Sequence, residues 1–191
     1  GTPLDRDIIE GCIKNNQHLK FDIPFPQGVK YYQFEDWKTA VEGVDFVIGG
    51  VSSFGVDWFL TEVLAHLDPS VPVLSVTKGL INLEDGTLIS YPDYWKRELA
   101  KMGIEREVCA IGGPCTSYEL VFHDQTEVAF CGENTAVLKM MKEAMATDYY
   151  HISLTNDVVG LESAVALKNG YALAIAMTIG LVNREHGADA G

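Results

Sequence analysis

The run at 157–182, DVVGLESAVALKNGYALAIAMTIGLV, constrains this chain more than any other stretch. It is apolar and small nearly throughout and contains no proline, so it reads as one long helix. Asn156 and Asp157 stand at its start, where short polar side chains accept hydrogen bonds from the first free backbone N–H groups. Lys168 and Asn169 interrupt it near the middle. Burying a lysine charge among apolar residues costs several kcal/mol unless the amine is paired or neutral. Lys168 is therefore either a snorkelling side chain with its head in water or an amine retained for chemistry. The charge-free part, 170–182, falls short of the roughly 20 residues that cross a bilayer. The expectation is a buried helix of a soluble protein, with no membrane insertion.

The charge balance narrows the partners. Fourteen Lys and Arg against 27 Asp and Glu leave a net charge of −13. Nucleic acid and anionic membrane surfaces call for a basic face, so neither is expected. A small anionic substrate needs only a few local cations. Cys12, Cys109, Cys115 and Cys131 have no zinc or redox-motif spacing, and the five histidines are not grouped for a metal. The start of the chain, GTPLDRDII, lacks the pattern of a secretory leader. Free thiols in the cytoplasm and no metal are the expectation.

Before the long helix, short apolar runs alternate with helical patterns. A helix is predicted from about Asp5 to Asn15, capped within Thr2 to Asp5, and a proline-containing loop over 16–27. A short strand is predicted at 29–32 and a helix at 36–41. The run at 45–51 reads as a strand buried on both faces. A helix at 56–66, a strand at 71–77, a loop through Asp85-Gly86 and a helix at 94–102 follow. Strands at 108–111, 126–130 and 149–154 and a helix at 134–146 complete the pattern. Residues 186–191 read as a loop. Alternation of this kind implies a mostly parallel sheet covered on both faces, with ligands beyond the carboxyl ends of its strands. Ser52-Ser53-Phe54, Lys78-Gly79 and Gly112-Gly113-Pro114-Cys115 all fall there. Singly, such residues are ordinary turn chemistry; together with Lys168 they point to a nucleotide site with chemistry at its edge. The glycine-rich GxGxxG turn of dinucleotide-binding folds does not occur in these residues.

Four segments, in order, resemble the NAD(P)-dependent glycerol-3-phosphate dehydrogenase family: DFVIGGVSSF (45–54), SVTKGL (75–80), GGPCTSYEL (112–120) and NDVVGLESAVALKN (156–169). The resemblance implies an α/β fold with a Rossmann-like, doubly wound, mostly parallel sheet, followed by the start of an all-α domain. Residues 1–155 would be the NAD(P)-binding domain without its first strand and glycine loop, and 156–191 the first long helix of the substrate-binding helical domain. It also implies reversible hydride transfer between sn-glycerol 3-phosphate and dihydroxyacetone phosphate, with NAD or NADP as cofactor and a homodimer as the complete protein.

Residue by residue, the resemblance makes Lys168 the general base and acid at the C2 oxygen, an amine that apolar surroundings would press toward its neutral form. It makes Asn169 a substrate contact and Lys78 a cation near both cofactor and substrate, able to polarise the ketone carbonyl. Gly113 and Cys115 would line the substrate pocket, Ser117 would meet the cofactor through its backbone, and Phe54 would pack on the cofactor. Cys115 stands where the family usually has serine or asparagine, and Ser163-Ala164-Val165 replaces a more glycine-rich stretch. Glu119 and Glu162 read as capping or structural carboxylates. Two other readings stay open: a dehydrogenase of another small hydroxy acid, and a relative that binds dinucleotide without turnover.

Overall fold

The computed structural model describes residues 3–186; Thr2, in the expected first cap, and 187–191, in the expected terminal loop, lie outside the described residues. Helix α1 is Pro3–Asn15. A proline-rich segment held by one isolated Gln17–Pro24 bridge leads to a 3₁₀ turn, Phe34–Asp36, and the short α2, Trp37–Ala40. Strand β1 is Val47–Gly49. After it come a 3₁₀ turn at Ser53–Gly55, α3 at Val56–Phe59, and a π-helical turn at Leu60–Leu64. Strands β2 (Val73–Ser75), β3 (Leu80–Asn82) and β4 (Leu88–Ser90) precede α4, Tyr91–Lys101. Then follow β5 (Val108–Gly112), α5 (Ser117–Val121), β6 (Thr126–Cys131), α6 (Thr135–Met145), β7 (Tyr150–Thr155) and α7 (Val158–His186).

Five strands form one sheet in the order β1-β2-β5-β6-β7. All neighbours are parallel except β5 and β6, which run antiparallel. The connection between these two strands carries only the five-residue α5. One face of the sheet is covered by α3, its π turn and α4, through Phe59, Leu60, Leu64, Trp95 and Leu99. The other is covered by α6, through Leu138 and Met141 against Phe130 and Ile152. This is the mostly parallel, doubly covered sheet that the alternation of strands and helices implies.

The helix starts follow their capping chemistry. Ser90 accepts from the Asp93 N–H at 3.2 Å, and Pro92 fits the first turn of α4. Thr116 and Glu119 form a reciprocal capping box on α5. Asn134 accepts from two backbone N–H groups of α6, and Asp157 from Gly160 at the start of α7. The carboxylate of Glu119 is thus the cap that the spacing suggested.

Several expectations need correction. No strand forms at 29–32. The loop through Asp85-Gly86 is a hairpin turn, with β3 and β4 pairing antiparallel around it. Strand β1 is an edge strand, not one buried on both faces. Its one partner is β2, and Ile48 is 47% exposed. The largest departure is α7. It runs as one helix through His186, and beyond its first turns it is exposed on every side, with Leu173 at 62% and Ile175 at 60%. The expected buried helix is therefore buried only near its start. Its span Val158–Arg184 has a mean hydropathy of 1.5 and, by length and composition alone, is long enough to cross a membrane. The short 170–182 window understated the helix because one helix continues through Lys168 and Asn169.

Candidate functional site

The carboxyl ends of β1, β2 and β5 meet at one edge of the sheet. Thr77 donates through Oγ1 to the Val51 carbonyl at 2.7 Å, and the Val76 N–H donates to Gly49 at 3.1 Å. These bonds tie the turn carrying Lys78 to the turn carrying Ser52 and Phe54. Beyond β5 the backbone folds sharply at Gly112 and Gly113. Gly113 has φ +144°, and a Cβ there would lie 2.9 Å from the Val128 Cα, so only glycine fits. At Gly112 a Cβ would lie 2.7 Å from Val165 Cγ2 and 2.9 Å from Leu161 Cδ1. The missing side chain is what lets α7 rest directly on the end of β5.

A cavity of about 290 Å³ opens at this turn. Lys78, Gly112, Gly113, Cys115, Ser117 and Tyr150 contribute to its wall. Four of the residues singled out from the sequence, Lys78, Gly113, Cys115 and Ser117, are thereby brought together. Cys115 is half-buried; burial and Glu119 push its thiol above the ordinary range, with Lys78 opposing them. That favours the neutral thiol over the thiolate.

Phe54 stands apart. Its ring is 98% exposed on a separate groove of about 590 Å³ that includes Gly50, Ser52 and Trp58. The groove lies past the end of β1, on the side where ligands of such sheets sit. An exposed aromatic face beside a glycine-containing turn suits a flat heteroaromatic ring.

Lys168 and Asn169 line neither cavity, and both are exposed. The burial argued for Lys168 from its apolar neighbours is not found. Its position on the helix is nonetheless specific. Leu161, Val165 and Lys168 are spaced i, i+4 and i+7, so Lys168 lies on the stripe that meets Gly112. At 1.5 Å per residue it stands about 4.5 Å further along the axis than Val165.

Among the described side chains of α7, the buried charge is Glu162 instead. It is 2% exposed, and its Oε2 has no hydrogen-bond partner. Burial, with Asp93 adding to it and Lys78 opposing, pushes its carboxyl up to about 7. The reasoning applied to Lys168, that a charge in an apolar helix has work to do, applied equally to Glu162 six residues earlier. What the sequence could not supply was which side of the helix faced the sheet.

The family described as NAD-dependent glycerol-3-phosphate dehydrogenase N-terminus matches residues 6–138. An NADP(+)-dependent glycerol-3-phosphate dehydrogenase from Archaeoglobus fulgidus is 28% identical over 186 residues, 97% of this chain and 54% of that protein. A glycerol-3-phosphate dehydrogenase [NAD(P)+] from Leptospira biflexa is 29% identical over 167 residues, 87% of this chain and 48% of that protein. The chain thus spans about half the length of the curated relatives it matches. Among solved structures, a glycerol-3-phosphate dehydrogenase from Coxiella burnetii superposes with a TM-score of 0.73 at 23% identity, covering 91% of this chain and 50% of that one. That likeness shows the shared fold.

Proposed function

The chain belongs to the NAD-dependent glycerol-3-phosphate dehydrogenase N-terminus family, and from that premise we propose that the polypeptide carrying it interconverts sn-glycerol 3-phosphate and dihydroxyacetone phosphate with NAD or NADP. One observation carries this reading. Lys78, Gly113, Cys115 and Ser117 share one cavity at the end of β5, and Gly112 in its wall is the residue on which the α7 stripe that bears Lys168 rests. A cation in the cavity wall and an amine further along the helix that meets that wall suit a ketone and its alcohol.

In this reading Phe54 packs on the cofactor's flat ring system and the Ser117 backbone meets it from α5. The nicotinamide, when bound, supplies or accepts the hydride. Lys78 sits beside the substrate oxygen and polarises the carbonyl. Lys168 takes the C2 hydroxyl proton during oxidation and returns it during reduction. Asn169 holds the substrate, and Gly113 and Cys115 shape the pocket floor. The exposed apolar sides of α7 are covered by protein rather than bilayer, by the remainder of a helical domain and by a second copy in a homodimer. Four free cysteines support a cytoplasmic setting.

The test is a spectrophotometric assay of the longest natural polypeptide containing these residues. Dihydroxyacetone phosphate is offered with NADH and NADPH in parallel, beside a panel of small hydroxy-acid substrates. Turnover with dihydroxyacetone phosphate is expected and identifies the cofactor. Turnover confined to another hydroxy acid, or cofactor binding without any turnover, overturns the proposal. Lys168→Ala is expected to lower kcat by more than about tenfold; a smaller loss removes Lys168 from the proton-transfer role.

A further inference from the structure

Three elements converge behind the Lys78 turn. Asp93 comes from the first turn of α4, where its Oδ2 accepts from Ser90 Oγ at 2.8 Å. Glu162 comes from the start of α7, buried, with one carboxylate oxygen unpartnered. Lys78 comes from the β2–β3 connection, exposed at the mouth of the cavity. Glu162 is within electrostatic range of both. The Cys131 thiol on β6 also interacts with it; burial pushes that thiol up to about 12, so it carries no charge. Helix α7 packs on β3, β4, β5 and β6 here, so the carboxylate has little freedom to leave.

An unpartnered carboxylate oxygen with 2% exposure of its residue is a strong demand for a cation or a donor. Asp93 cannot meet it. Lys78 is the cation whose charge acts on it, on a side chain long enough to swing between solvent and the Gly112–Gly113 turn. We propose that Glu162 is a positioning residue, whose buried carboxylate, with Asp93 beside it, draws the Lys78 ammonium inward over the Gly112–Gly113 turn to the place where a substrate carbonyl is polarised. This rests on the role given to Lys78 above. It adds that the cation is aimed from behind the sheet edge by α7, so the helix that bears Lys168 also orders Lys78.

The test uses Lys78→Ala, Glu162→Gln and Glu162→Asp in the same long polypeptide. Steady-state kinetics with dihydroxyacetone phosphate and the preferred reduced cofactor are followed from pH 5.5 to 9, with thermal melting alongside. Glu162→Gln is expected to raise the KM for dihydroxyacetone phosphate about tenfold at pH 8 and to leave the KM for cofactor within about twofold. Its melting temperature at pH 8 should equal or exceed that of wild type, so a lost fold does not explain the defect. The wild-type rise of kcat/KM through about pH 7 should flatten in Glu162→Gln, and Glu162→Asp should restore most of the substrate affinity. If Lys78→Ala is inactive while Glu162→Gln keeps the wild-type KM and pH profile, the positioning role falls and the reading of Lys78 stands. If Lys78→Ala retains full activity, the reading of Lys78 falls and takes this inference with it. Should Glu162→Gln not fold, Glu162→Asp and the wild-type pH profile decide: unchanged substrate affinity and a flat profile through about pH 7 overturn the inference.

Discussion

Arg106 shows how much one buried side chain can organise. Its Nη1 donates to the carbonyls of Asp68 at 2.7 Å and Val71 at 2.5 Å, and its Nη2 to Leu67 at 2.7 Å and Leu64 at 3.4 Å. Those carbonyls close the π turn after α3 and start the approach to β2, so one guanidinium sets where the second strand begins. Arg106→Ala leaves them without their donor and is expected to destabilise the protein by about 3 kcal/mol, read from urea denaturation. Glu162 gives a second residue-level test, with a pH signature. In the unfolded chain it ionises near 4.3, whereas in the fold its carboxyl is held up to about 7. Between about pH 4.5 and 7 the folded protein keeps a proton that the unfolded chain has released, so stability falls as pH rises through that window. The full cost, about 3 kcal/mol, is present above it. Glu162→Gln is therefore expected to match wild type near pH 4.5 and to exceed it by up to about 3 kcal/mol at pH 8. A variant that is no more stable at pH 8 than at pH 4.5, relative to wild type, would contradict the assignment. Stability gained and substrate affinity lost in the same variant is the pattern of a site residue held at a cost.

At the scale of elements, the join between β5 and α7 decides the geometry of the cavity. Gly112 admits Leu161 and Val165, and Gly113 takes a conformation that other residues rarely adopt. Gly112→Val places branched bulk where Val165 and Leu161 already sit. It is expected to push α7 off the sheet edge, costing about 2 kcal/mol or more in stability. Activity should fall further than stability, because Lys168 and Glu162 ride on the displaced helix. Gly86, with φ +84° and nothing within 4 Å of its would-be Cβ, is the control: Gly86→Ala should cost only about 1 kcal/mol of turn strain and leave kinetics unchanged. The rest of α7 is a different kind of element. Tyr171, Leu173, Ile175, Met177, Ile179 and Leu181 are each more than half exposed, far more apolar surface than a lone protein face ordinarily shows to water.

For the molecule as a whole, that exposed helix and the single-partnered edge strands β1 and β7 are open surfaces. Residues 1–191 prepared alone are expected to self-associate and to melt without a sharp transition. Light scattering after size exclusion and a thermal scan check this, and a monomer with a cooperative melt would refute it. Leu173→Asp should then improve the solubility of the short piece, yet cost several kcal/mol in the longest natural polypeptide if protein covers this face.

Much of the local structure followed from the residues themselves. The alternation of apolar runs, the start of α6 at Asn134, the cap at Asp157, and the place of Lys78, Gly113 and Cys115 just after strand ends rest on short-range chemistry, which neighbouring residues carry in full, whereas the caps at Ser90 and Thr116 and the helix α5 were not read from it. The long apolar run placed Lys168 on a helix that starts directly after the last strand. Strand partners were not legible in that way: the hairpin of β3 and β4, the edge position of β1 and the antiparallel step between β5 and β6 depend on which distant backbone takes up each N–H and C=O. Nor was burial along α7. A helix that is apolar on every side has no face of its own to turn inward, and only the contact at Gly112 selects one. That contact leaves Lys168 exposed and buries Glu162, whose carboxyl the Lys78 charge then acts on.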